Sequence, residues 1–167
     1  MEQLKVRTKK RHVTFNEYKD NLRVNYLTLP PSIEPGLWYA GEQEIFYDGS
    51  PIATIVSDRK PDTDGQVVFG MSLRSPIDQH NRAIGRVKAF GKYLSFEKRK
   101  YTPVVTENVW LSLIAAHVDK KYEIDGFLLC GKVPADKLKE FVVSFKQGKF
   151  YQAFSALDLG TEIIEEV

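Results

Sequence analysis

The sequence predicts an α+β domain: an antiparallel meander sheet packed against a central basic helix, with two further helices in the C-terminal half. Three observations carry that prediction. Runs rich in β-branched and aromatic residues, each of strand length, follow one another over residues 21–73 and are separated by turn residues. A basic stretch with helical periodicity comes directly after the last run. Beyond it, apolar residues recur at helical spacing around Trp110 and again around Phe141.

The elements follow in chain order. Residues 1–15 read as a basic arm, because Lys5, Arg7, Lys9, Lys10 and Arg11 stand together with no acid among them. Asn21–Leu27 alternates apolar and polar residues, as a half-buried strand does, and Pro30-Pro31 ends it. Leu37–Tyr47 predicts a second strand, with Gly41 marking a bulge. Asp48-Gly49 supplies the turn chemistry for a hairpin into Ile52–Val56. Ser57–Gly65 is a polar loop dense in turn residues, and Gln66–Leu73 is the next strand. Trp38 and Tyr39 are neighbours and so point to opposite faces of their strand. At least one of them therefore lies outside the core, free to line a ligand pocket or a subunit contact.

A helix is predicted to start at Pro76. Ser75 offers a capping hydroxyl, Pro76 suits the first helical position, and Asp78 stands three residues after the cap. Ile77, His80, Ile84, Val87, Gly91 and Leu94 form the apolar stripe expected to face the core. The opposite side carries Asp78, Arg82, Gly85, Arg86, Ala89 and Lys92. A glycine inside a helix costs about 1 kcal/mol relative to alanine. Gly85 and Ala89 thus predict that something approaches the backbone there: a ligand, another strand or a second copy of the chain. Asp78 and Arg82 are also spaced for an ordinary i, i+4 pair on a solvated face.

The run Ser75-Pro76-Ile77-Asp78-Gln79-His80-Asn81-Arg82-Ala83-Ile84-Gly85-Arg86, with Ala89 and Gly91-Lys92 behind it, resembles a motif of small phage and prophage proteins. There the pattern runs Ser/Cys-Pro-x-Asp-x-Phe-x-Arg/Lys-x-x-Gly-Arg, followed by Ala and Gly-Arg. His80 stands here in place of the aromatic residue, and Lys92 in place of the final arginine. Among the proteins this chain is similar to are anti-defence sponges that bind the cyclic ADP-ribose signal of the Thoeris system. The resemblance implies a non-catalytic protein that sequesters a nucleotide, often as a homo-oligomer.

In the second half, Thr106 caps a predicted helix through Trp110 and Leu113, and Asp125-Gly126 ends it. Phe127–Val133 is a predicted strand, Pro134 opens a further helix, and Gly148 closes that one. Phe150–Leu159 suits either strand or helix. Residues 161–167 form an acidic tail, leaving 16–160 as a single domain.

Composition is globular, with 43% hydrophobic and 28% charged residues, which excludes a disordered chain. One cysteine, Cys130, excludes an internal disulfide, and its apolar neighbours predict a buried thiol. No apolar run reaches membrane-span length and the N-terminus lacks a signal-peptide core, so a cytoplasmic protein with no membrane partner is expected. His12, His80 and His117 lack metal-ligand spacing, and no nucleophile elbow, P-loop or dinucleotide fingerprint is present. Asp58, Asp62 and Asp64 read as a hydrophilic turn. No enzyme activity, metal or cofactor is therefore expected.

Two functions fit. In the first, Arg82, Arg86 and Lys92 hold the phosphates of a nucleotide-type small molecule while Trp38 or Tyr39 stacks on its base. In the second, the arm (Lys5, Arg7, Lys9, Lys10, Arg11) and the same helix bind single-stranded DNA or RNA.

Overall fold

The computed structural model describes residues 15–31, 33–40, 42–74, 81–96, 103–104 and 127–158. A short helix, α1 (Phe15–Tyr18), and one 3-10 turn (Lys19–Asn21) lead into strand β1 (Leu22–Leu27). Strands β2 (Gly36–Ala40) and β3 (Gln43–Tyr47) follow, then β4 (Ala53–Asp58) and β5 (Gln66–Leu73). Helix α2 spans Arg82–Ser95. After the short strands β6 (Pro103–Val104) and β7 (Phe127–Leu128) come β8 (Cys130–Pro134), α3 (Ala135–Lys146) and α4 (Phe150–Asp158).

The main sheet is antiparallel, in the order β1-β4-β5-β8. Its register runs from Leu22 opposite Asp58 to Leu27 opposite Ala53, and sets Val56 opposite Gly70 and Gly70 opposite Cys130. Residues of one face, Ile55, Val67, Phe69, Met71 and Val133, pack with Leu138, Phe141, Phe145, Ala153 and Leu157 of α3 and α4. On the other face Leu22 and Val56 pack with Ala89 and Phe90 of α2. Helices thus cover both faces, and β5 is buried along most of its length, which is why its sequence does not alternate. The α+β class and the antiparallel sheet agree with the sequence reading, although β2 and β3 drop out of the expected meander; the helix expected after Pro134 is α3, and Phe150–Asp158 resolves as helix.

Two expectations are corrected. Leu37–Tyr47 is not one bulged strand but a separate hairpin, with Gly36 paired to Tyr47 and Ala40 to Gln43. Pairing within the segment satisfies its backbone groups locally, which a single long strand cannot do without a neighbour. The turn after it does form, since Asp48 accepts from the Ser50 N–H at 2.9 Å, yet β3 and β4 lie in different sheets. The β2–β3 hairpin is instead an excursion between β1 and β4. Tyr47 anchors it: the ring is buried, and its hydroxyl oxygen accepts from the Leu29 N–H at 3.0 Å. Arg74 fastens the return, donating to the Pro51 carbonyl and the Ser50 hydroxyl, each at 3.0 Å.

The second correction is the orientation of α2. Ile84 and Val87, expected in the core, are 52% and 63% exposed, whereas Ala89 is fully buried. The face with the small residues is the one that meets the sheet. A methyl group built on Gly70 would lie 2.1 Å from the Tyr93 nitrogen and 2.4 Å from the Ala89 carbonyl oxygen, so helix backbone touches strand backbone there. One built on Gly85 would meet the Thr54 hydroxyl at 2.6 Å, and the Ser72 hydroxyl donates to the Gly85 carbonyl at 3.1 Å. Of the approaches anticipated for Gly85 and Ala89, the strand is the one present. The expected helix start at Pro76, its Ser75 cap and His80 lie outside the described residues. Asn81, however, is extended, and its side chain accepts from the Ile84 N–H at 3.0 Å, so the described helix begins at Arg82.

Gly41, the Thr106 helix, His12, His117, the basic arm and the acidic tail also lie outside the described residues. Among the described residues no helix is long and apolar enough to cross a membrane.

Candidate functional site

Helix α2 carries Arg82, Arg86, Lys88 and Lys92 with no acid along its length. Its N-terminal turn sits over Tyr26, on the edge strand β1. The Arg86 guanidinium donates from Nη1 to the Tyr26 hydroxyl at 3.1 Å, and its Cζ lies 5.7 Å from the centre of the Phe15 ring. Arg82 is more exposed, with its Cζ 4.8 Å from the centre of the Tyr26 ring. One tyrosine therefore holds two guanidiniums, one by a hydrogen bond and one through its π face.

The scaffold beneath them is aromatic. Phe15 stands edge-on to Phe90 at 5.9 Å, and Phe90 stacks with Tyr93 at 6.0 Å. Tyr93 in turn donates to the Asp58 carboxylate. These contacts fix the rotation of α2 and hence the side on which Arg82 and Arg86 emerge.

Among the described residues neither arginine is paired with a carboxylate, and the first turn of α2 holds no acid. Positive charge on the side chains and the positive end of the helix dipole therefore act in the same place. Guanidiniums one turn apart offer N–H donors that suit the oxygens of a phosphate or a carboxylate.

The other predicted site residues are placed differently. Lys92 is exposed on the flank of α2 near β8, where its charge acts on Cys130, whereas Arg86 leans toward β1; the fold does not bring it to the pair. Trp38 lies on β2 opposite Ile45, and Tyr39 opposite Glu44. Tyr39 is 56% exposed and Phe46 63%. Their hairpin springs from the Leu27–Ala53 end of the sheet, which is also the end where α2 begins. Lys5, Arg7, Lys9, Lys10 and Arg11 lie outside the described residues.

The sequence reading missed Tyr26 and Phe15 as partners of the arginines. The one signal for Tyr26 was its alternation with Leu22 and Val24, which assigns it to the α2 face of β1. Asp62, read as part of a turn, accepts from the backbone N–H groups of Asp64 and Gln66 at 2.9 Å and pairs with Lys132 at 3.0 Å. The hydrogen bond from Gln66 is the main reason its carboxyl sits below the usual range. Cys130 is buried, which pushes its thiol up to about 11. Among the described residues no cluster of three or more His, Cys, Asp or Glu could hold a metal ion. Compared with known families, with characterised proteins and with solved structures, the chain matches none of them.

Proposed function

We propose that this is a non-catalytic binding protein of phage type, which sequesters a phosphate-bearing nucleotide signal and so blunts a host defence. The observation that carries the reading is the pair Arg82 and Arg86, held by Tyr26 at the start of α2 with no carboxylate partner among the described residues. Guanidiniums on a fixed element, without a carboxylate partner among the described residues, can hold phosphate oxygens, which storage requires. The exposed Tyr39 ring, at the same end of the sheet, is available to a base. The motif resemblance supplies the biological setting. The exposed face of the hairpin, with Leu37 and Phe46, is the apolar surface on which a homo-oligomer would assemble.

Calorimetry with cyclic ADP-ribose and related cyclic nucleotides tests the proposal. Arg86→Ala is expected to weaken binding at least about tenfold, the loss of a charge-assisted pair, while the fold survives. Absence of heat with every nucleotide, or unchanged affinity in a folded Arg86→Ala protein, refutes it. A second reading, binding of single-stranded nucleic acid in the cytoplasm, rests on the run Lys5–Arg11. It predicts affinity that falls steeply with salt and weakens when the arm is removed; a flat salt response in fluorescence anisotropy excludes it.

A further inference from the structure

The face of the sheet opposite α2 holds a cleft of about 370 Å³ between the edge formed by β1 and β4 and the N-terminal half of α3. It is separated from Arg82 by the thickness of the sheet. It also lies toward the other end, beside Arg23 and Ser57 rather than Leu27 and Ala53.

Its floor is apolar, made by Val67 and Leu138, with Val142 on the wall. Ser57 is set into this lining. The residue is only 2% exposed, it stands on the same strand face as Ile55, and its hydroxyl has no hydrogen-bond partner among the described residues. A buried hydroxyl left without a partner is costly, so one that opens onto a cleft of this size is a donor and acceptor set out for an occupant.

The charges around the cleft indicate the sign of that occupant. Arg23, Arg59 and Lys139 stand on its lining against Asp58 and Asp136. Asp58 is already engaged, its carboxylate accepting from the Val68 N–H at 2.8 Å and from the Tyr93 hydroxyl of α2. Asp58 keeps its charge in these contacts, and Arg59 also donates to the Leu22 carbonyl at 3.1 Å, so three cations stand against two carboxylates and the balance is positive by one. Helix α3 adds to the positive side, because Pro134 at its N-terminus supplies no side-chain cap and the first turn lines the cleft mouth.

We propose that this cleft binds a small organic anion, with a phosphate or carboxylate group at the cationic rim and an apolar body against Val67, Leu138 and Val142. Its dimensions fall at the lower end of small-molecule pockets, enough for one ring bearing one charged group.

Phenyl phosphate and benzoate are the probes, with neutral benzyl alcohol as the control, and amide chemical shifts of the full chain are the readout. Titration of either anion is expected to move the amides of Ser57, Asp136 and Lys139, with benzyl alcohol binding about tenfold more weakly. Ser57→Ala is expected to weaken the anion about fivefold while raising the urea midpoint of the free protein, because it removes both a contact and an unsatisfied group. Lys139→Glu, at an exposed position, is expected to weaken the anion without changing that midpoint. The proposal is overturned if shifts are confined to Tyr26, Arg82 and Arg86, which would serve the nucleotide site alone. Equal binding of benzyl alcohol, or affinity unchanged in Ser57→Ala and Lys139→Glu, also overturns it.

Discussion

Replacing Gly70 by alanine tests the packing on which the whole α2 face depends. The added methyl would stand 2.1 Å from the Tyr93 nitrogen, where ordinary contact begins at 3.4 Å, so the helix must retreat by about 1.3 Å. The obstructing atoms are backbone, and no rotamer change relieves them. Overpacking of this kind costs about 1–3 kcal/mol, and rigid neighbours place it at the upper end. Retreat also stretches the Ser72–Gly85 and Tyr93–Asp58 hydrogen bonds, each worth about 1 kcal/mol. A loss of about 3–5 kcal/mol follows; with a urea slope near 2 kcal/mol/M it lowers the unfolding midpoint by roughly 1.5–2.5 M. Gly85→Ala is the comparison. Its methyl meets the Thr54 side chain, and the gain of about 1 kcal/mol in helix propensity opposes that contact, so stability stays within about 1 kcal/mol of wild type. In a Thr54→Ala background the same change is expected to stabilise. A Gly70→Ala protein that loses less than about 1 kcal/mol would refute the docking of α2 on β5 as described.

Three further outcomes are expected. Tyr47→Phe removes the acceptor of the buried Leu29 N–H and lowers stability by about 1–3 kcal/mol in urea unfolding, whereas loss of an exposed hydroxyl would be neutral. Burial raises the Cys130 thiol from 9.0 to about 11, which favours its neutral form in the folded state, so the associated stability is complete below pH 9 and is lost as pH rises toward 11. That loss is at most about 2–3 kcal/mol; it is expected to be missing from the wild-type minus Cys130→Ala difference only if the thiol is exposed, and native protein at pH 8 should not react with a disulfide reagent. Asp62, held below its ordinary 3.8 chiefly by the Gln66 N–H, stabilises above that pH and less as the pH falls through its lowered value. Asp62→Asn is accordingly expected to flatten the acid limb of the stability curve, and an unaltered limb would remove Asp62 from it.

Local chemistry made much of this fold readable. The alternation in Asn21–Leu27, the unbroken apolar run after Gln66, and Gly148 after a periodic stripe each identify an element from its own residues. What was not readable depends on partners far along the chain. Whether α2 buries Ile84 and Val87 or Gly85 and Ala89 is decided by Gly70, because only a residue without a side chain lets the small face come close enough to win. The fold of Leu37–Tyr47 on itself depends on β4 having a better partner in β1. At the candidate site, Arg82 and Arg86 were visible as neighbours on a helix. Tyr26, which holds them together, stands sixty residues before Arg86.

The hairpin hangs from a closure that the sheet makes without it. Leu27 and Ala53 are register partners, and the Ile52 N–H already donates to the Leu27 carbonyl at 2.7 Å, so the β1–β4 ladder is complete beneath the excursion. Descendants of such a chain can therefore exchange the tip of this loop for another without unlacing the sheet, provided that something fills the place of Tyr47. Hairpin tip and framework are free to change at different speeds, and the exposed face of the hairpin can turn over while the fold beneath it is inherited intact.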